Sequence, residues 1–250
     1  ASDYSKLGKM LDLCKGENKL QIISKTISGE GIANRVVEKF NPAMEFDETD
    51  LVSMLYYLGY LTITGERFEL PELNIPNKTM KEMYSSYFMH ILSKETDFIV
   101  NSQIYNTITE QLALEGRIDK IVEIMENYLN NLSNRDFIQF SEKNIKLMFY
   151  CIVMNLKIYN IKSEPEVKRK YPDILLLPKD PSKGYAAIMI EFKYLKKEEE
   201  KLLQQKQEEA KEQIEEYAAF EEMQEIEKLH KYTVVAVNDK LYVEKIFKNP

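Results

Sequence analysis

Tyr171-Pro-Asp-Ile-Leu-Leu-Leu-Pro178 and Ala186-Ala-Ile-Met-Ile-Glu-Phe-Lys-Tyr-Leu195 are two apolar runs separated by a short polar turn that contains Pro181 and Gly184. They read as two strands of a hairpin. The second run carries Glu191 and Lys193 where a central strand should carry apolar residues. Strand side chains alternate between faces, so Ile188, Ile190, Phe192 and Tyr194 share one face and Met189, Glu191, Lys193 and Leu195 the other. The two charges therefore point into one site. Asp173 opens the first strand, and the hairpin returns the second beside it, so three charged groups are expected to converge at one end of a sheet.

The chain has 250 residues, enough for one or two hydrophobic cores, and 44% apolar with 30% charged residues is an ordinary soluble globular composition. No apolar run approaches the roughly 20 residues that span a bilayer, and no secretory signal begins the sequence. Cys14 and Cys151 lie far apart in apolar helical contexts, which predicts reduced, buried thiols and a cytoplasmic location with no membrane partner. The net charge of −7 argues against a broad non-specific nucleic-acid coat without excluding a local basic groove. Six Lys and twelve Glu between Lys196 and Lys228 give −6, so the rest of the chain is nearly neutral.

Two histidines, His90 and His230, each on an expected helix, offer no convergence for a zinc site or a Ser-His-Asp triad. No G-x-x-x-x-G-K-[ST] stretch occurs, and Gly29-Glu-Gly31 lacks the preceding strand and later glycine of a dinucleotide loop. ATP binding by this chain alone is not expected.

In chain order, Ser5–Cys14, Lys19–Ile27 and Glu30–Phe40 read as helices. Asp47-Glu-Thr-Asp50 gives an acidic start to a helix that Gly59 is placed to end, and Tyr60–Leu70 reads as a hairpin turning at Gly65-Glu66. Helices before a small hairpin suggest a winged-helix-like unit. Its last helix is acidic and aromatic, which favours packing over DNA reading. Further helices are expected over Thr79–Ser93, Asp97–Gly116, Asp119–Leu132 and Ser141–Leu156, with Ser133-Asn-Arg-Asp136 as a loop. The last of them has an apolar side through Ile145, Met148, Phe149, Ile152 and Val153 that suits packing on a sheet. Tyr159–Glu164 reads as a first strand, Lys196–Leu229 as one long helix docked through Leu203, Ala210, Ile214, Tyr217 and Phe220, and Tyr232–Ile246 as a hairpin.

Two carboxylates and a lysine suit metal-assisted phosphodiester hydrolysis. A hard divalent ion takes oxygen ligands and keeps waters, one of which it acidifies, while an ammonium orients the nucleophile or balances charge on the phosphate. The bland alternative is that Glu191 and Lys193 form an intra-strand pair and Asp173 caps a turn.

Pro172-Asp173 followed by Glu191-Phe-Lys193 resembles the signature of the PD-(D/E)XK nuclease superfamily. Ser163-Glu164, Asp173-Ile-Leu-Leu, Ile190-Glu-Phe-Lys-Tyr-Leu and Ala210-x-x-Gln213-Ile214-x-x-x-Tyr217-Ala218 resemble the nuclease-like domain at the C-terminus of bacterial AAA-ATPase-like proteins. Leu58-Gly-Tyr-Leu-Thr-Ile63 with Ile75-Pro-Asn77 resembles the segment joining the two parts of such proteins. The resemblance implies an α/β fold: a helical N-terminal region with a winged-helix-like hairpin, then a restriction-endonuclease-like mixed sheet flanked by helices. It implies residues 1–75 as a winged-helix-like end of an ATPase-like part, 76–135 as a helical linker region and 136–250 as the nuclease-like domain.

It further implies that Asp173 and Glu191 bind Mg²⁺ or Mn²⁺ with the Phe192 carbonyl as third ligand, that Lys193 is the catalytic lysine, and that Gln213 and Glu142 are site residues on the following and preceding helices. Nucleic acid, DNA in particular, is the implied substrate, and an ATPase-like domain or a second copy the implied partner. The usual Gly-Arg before Pro-Asp is here Lys170-Tyr171, and the ATPase portion is missing, as in a fragment or truncated relative. The alternative is a catalytically silent nuclease fold kept as an interaction module or dimerisation scaffold.

Overall fold

The computed structural model describes residues 3–12, 18–39, 46–96, 101–132, 140–163 and 172–247, in two units, Ala1–Leu92 and Ser93–Pro250. Cys14, Asp97, Ser133–Asp136, Glu164, Lys170 and Tyr171 lie outside the described residues.

In the first unit, α1 (Asp3–Leu11) and α2 (Asn18–Ser28) precede a two-residue strand, β1 (Ile32–Ala33). The helix expected over Glu30–Phe40 does not form over its described residues, 30–39. Gly29 and Gly31 take φ of +85° and +68°, conformations that end a right-handed helix, and Ile32 is buried as a strand residue instead. α3 (Glu48–Tyr57) begins at Asp47, whose carboxylate accepts the Asp50 N–H at 2.9 Å, as the acidic start predicted.

The hairpin is β2 (Thr62–Arg67) and β3 (Leu70–Asn74), in a sheet ordered β1-β3-β2. It turns at Phe68-Glu69, both at positive φ, and not at the expected Gly65-Glu66, which lies inside β2 where the register shifts. The later turn lets β3 run on to Leu73, which pairs with both Ile32 and Ile63 and is fully buried. α4 (Lys78–Thr96) adds Tyr84, Tyr87 and Phe88 to the buried set.

In the second unit, α5 (Ser102–Glu110) is capped by Asn101 and runs into one π-helical turn, Gln111–Glu115. α6 (Asp119–Asn131) and α7 (Glu142–Met154) follow. The sheet is built from β4 (Tyr159–Ser163), β5 (Ile174–Pro178), β6 (Ala187–Leu195), β7 (Leu229–Val237) and β8 (Lys240–Ile246), in that order. Every pair is antiparallel except β6 and β7. This mixed sheet flanked by helices is the expected α/β, restriction-endonuclease-like architecture.

The single long helix expected over Lys196–Leu229 is instead a 3-10 segment (Lys197–Leu202), α8 (Leu203–Ala218) and α9 (Glu221–Gln224). Parallel strands explain the break. The crossover must return the chain to the start of β6, where Ala187 pairs with Leu229. Nine residues of β6 span about 30 Å, α8's 16 residues about 24 Å, and an unbroken helix over the whole segment would overshoot by about 20 Å. Phe220, with ψ of 140°, leaves the helix and turns the chain back.

The faces of β6 are as alternation predicts. Phe192 meets Phe149 of α7 with ring centroids 5.5 Å apart. On the other face Leu175 and Met189 pack with Ile214 and Tyr217 of α8, and Leu203 packs against Leu195 and Val235. Ala210 is buried with them, whereas Phe220, expected in this contact, is 42% exposed.

Candidate active site

The β5–β6 ladder fixes the site. Ile174 pairs with Ile190, so in an antiparallel ladder the next residues outward, Asp173 and Glu191, face each other on the α8 side of the sheet. β5 has no residue to pair with Phe192, and the Asp173 carboxylate takes that place: its Oδ2 accepts the Phe192 N–H at 2.7 Å. The Asp173 N–H reaches Glu191 Oε2 at 3.4 Å, and Lys193 Nζ donates to Glu191 Oε1 at 2.9 Å. Asp173, Glu191 and Lys193 are exposed by only 6%, 3% and 7%. N–H and C=O of one strand residue face the same neighbour, so the Phe192 carbonyl also lies on the Asp173 edge.

Burial, and then the Asp173 charge, pushes the Glu191 carboxyl up to about 7 against the pull of Lys193 and Lys146. Burial also raises Asp173, with Lys146 opposing it. The carboxyls are thus drier than their nearby cations can fully offset.

Lys146, on α7, was not anticipated. Its Nζ lies 2.5 Å from Asp173 Oδ1 and 3.0 Å from Glu142 Oε1, so it joins the helix to the strand pair. Glu142 is therefore one ion pair away from Asp173. A sequence signal existed: a lysine four residues after Glu142, between Ile145 and Leu147 on a largely apolar helix.

Gln213 lies one helical turn before Tyr217 on α8, and its Oε1 is buried without a hydrogen-bond partner among the described residues. The Tyr217 hydroxyl is pushed up to about 12 by burial, then by Glu191 and Asp173. Gln213 thus shares a helix face with a residue that senses both carboxylates, and its buried Oε1, an acceptor, has no described donor. Thr233, the β7 neighbour of Glu191 in the parallel register, is fully buried, and its Oγ1 likewise has no described partner. Sequence periodicity gave no reason to single it out.

His230 takes no part in the site. It lies on β7 and not on the expected helix, its ring against Gly116, and burial followed by Lys245 and Lys228 lowers its pKa.

Among the described residues no group of three or more His, Cys, Asp or Glu is arranged to hold a metal ion. The donors that do converge are two buried carboxylates and a main-chain carbonyl. All are hard oxygen ligands converging at one end of the sheet, so they fit a divalent ion that keeps several waters.

An acid completing the ladder beyond one strand, an acid opposite it and a lysine two residues on form a D…ExK constellation. Residues 140–246 match the family model of the PD-(D/E)XK nuclease superfamily. The match takes in α7 through β8, and so includes Glu142, Lys146, Asp173, Glu191, Phe192, Lys193, Gln213 and Thr233. PD-(D/E)XK proteins are nuclease-type phosphodiesterases that generally use divalent metals and act on nucleic acid. No curated protein matches the chain.

Proposed function

We propose that the chain is a nuclease that hydrolyses phosphodiester bonds of DNA with Mg²⁺ or Mn²⁺. The observation that carries this is the register that sets Asp173 against Glu191 with the Lys193 ammonium on the same carboxylate. Asp173, Glu191 and the Phe192 carbonyl would hold the ion, which when bound would supply an acidified water and neutralise charge on the phosphate. Lys193, held by Glu191, orients the attacking water and stabilises charge on the scissile phosphate. The Phe192 N–H fixes the rotamer of Asp173, so the carboxylate is set before substrate arrives. Gln213 offers a buried acceptor for an ordered water, and Glu142 acts through Lys146.

The resemblance over residues 49–79 supports an ATPase-like partner, with 1–75 as the end of that part, 76–135 as a linker region and 136–250 as the nuclease domain. A buried free thiol at Cys151 fits a cytoplasmic setting. Among the described residues no helix is long and apolar enough to cross a membrane.

Lys193→Ala should abolish metal-dependent cleavage of plasmid DNA while the melting profile stays cooperative. Unchanged cleavage in that variant contradicts the assignment. One observation favours a second reading, a silent nuclease fold serving as an interaction module: Lys146 already gives Asp173 a cation. Absence of metal binding by calorimetry, with a stable dimer, would decide for it.

A further inference from the structure

Lys146 lies within reach of two carboxylates that differ in environment. Asp173 is 7% exposed at its side chain and Glu142 34%, with Lys146 between them at 19%. The ammonium sits 2.5 Å from Asp173 Oδ1. An ion bound to that oxygen at about 2.1 Å, the Mg–O distance, would stand no more than about 4.6 Å from the ammonium. Two like charges so close in a poorly solvated site repel, which favours movement of the ammonium away from the ion.

Lys193 is not the one to move. It holds Glu191 Oε1, and Oε2, the oxygen on the Asp173 side, is left to meet the ion. Lys146 has somewhere to go: Glu142 lies 3.0 Å away, one helical turn back and nearer to solvent. A flexible lysine stem makes that shift without leaving a bare charge behind.

We propose that Lys146 is a displaceable counter-ion, neutralising Asp173 while the site holds no metal and withdrawing to Glu142 when a divalent cation takes Asp173 Oδ1. This rests on Asp173 and Glu191 being the metal-holding pair. The device keeps a carboxylate pair buried and folded in the absence of metal, and sets the metal concentration at which the site loads. Glu142 is then a positioning residue, the resting place of Lys146, and not a ligand.

The sign of the effect on metal affinity separates this from a plain structural bridge. Removing a supporting residue that merely orients a ligand weakens metal binding, typically by about 10–100-fold. Removing a competitor strengthens it. Calorimetric titration of Mn²⁺ into the metal-free wild-type chain and Lys146→Met should show binding about tenfold tighter in the variant, a gain of about 1.4 kcal/mol. Its melting temperature in EDTA should fall, because Asp173 loses its buried partner, and Mn²⁺ should restore more of it than in the wild type. Glu142→Gln should bind Mn²⁺ more weakly than wild type because Lys146 has lost its retreat; if Lys146→Met does not fold, Lys146→Gln, which keeps a polar head beside Asp173, carries the test and should bind Mn²⁺ more tightly than wild type.

Equal or weaker Mn²⁺ binding by a folded Lys146→Met overturns the proposal while leaving the metal site standing. Unchanged binding by Glu142→Gln also counts against it. Mn²⁺ binding that survives Glu191→Gln undiminished removes the metal-holding pair itself, and the proposal with it.

Discussion

Compare the two faces of β6. Toward α7, Ile188, Ile190 and Phe192 are fully buried, and Phe192 stacks edge-on against Phe149. Toward α8, Glu191 and Lys193 are nearly as dry, yet they are charged and bonded to each other beside a third buried charge, Asp173. Burial stabilises the first face at about 1.5–3 kcal/mol per large apolar side chain. On the second it works against folding, because a desolvated carboxylate is compensated only where its geometry and partners are good. A strand that needed only to fold would carry apolar residues on both sides. The asymmetry is what separates site from scaffold, and it gives mutations on the two faces opposite signatures.

The largest effect should be on activity alone. Asp173→Asn keeps the acceptor for the Phe192 N–H and removes the charge, so cleavage should fall by about 10²–10³-fold or more with little change in fold, measured as initial rates on plasmid DNA beside a circular dichroism melt. Phe192→Ala, one residue from Glu191 but on the other face, should instead lower stability by about 3–5 kcal/mol in urea titration. If Asp173→Asn unfolds the chain and Phe192→Ala does not, the contrast between the faces is wrong.

A smaller, pH-dependent effect isolates Glu191. Its carboxyl rises from an ordinary 4.5 to about 7 in the folded chain, so between those values the folded state keeps a proton that the unfolded state has released. Stability without metal should therefore fall as pH rises from 4.5 to about 7 and level off above. Glu191→Gln should show a shallower slope over that interval; equal slopes in the two proteins would contradict the burial of this carboxyl. The smallest change is Thr233→Val, which removes a buried hydroxyl without a described partner and should stabilise the metal-free chain by about 1 kcal/mol in chemical denaturation.

Much of this was legible in the sequence because strand alternation is rigid. Once Ala186–Leu195 is a strand, Glu191 and Lys193 must share a face, and one hairpin brings Asp173 opposite. The cap at Asp47 and the β7–β8 turn, where Asn238 takes φ of +53°, were legible for similarly local reasons. What was not legible depends on partners distant in sequence. The hairpin turn moved to Phe68-Glu69 because Leu73 had to reach Ile32, and the Glu/Lys-rich helix broke because the parallel pairing of β6 and β7 limits its length. Lys146 was missed because a lysine in an apolar helix usually snorkels to water, and only the fold shows Asp173 beside it. Thr233 became a neighbour of Glu191 through the same parallel register.

The most direct measurement is cleavage of supercoiled plasmid by the purified chain with Mg²⁺ or Mn²⁺, with Glu191→Ala and EDTA in parallel. Nicking or linearisation that requires metal and disappears in Glu191→Ala is the predicted result. Cleavage that persists in that variant, or that is indifferent to EDTA, would contradict the assignment of this face of β6 as a metal-dependent phosphodiesterase site.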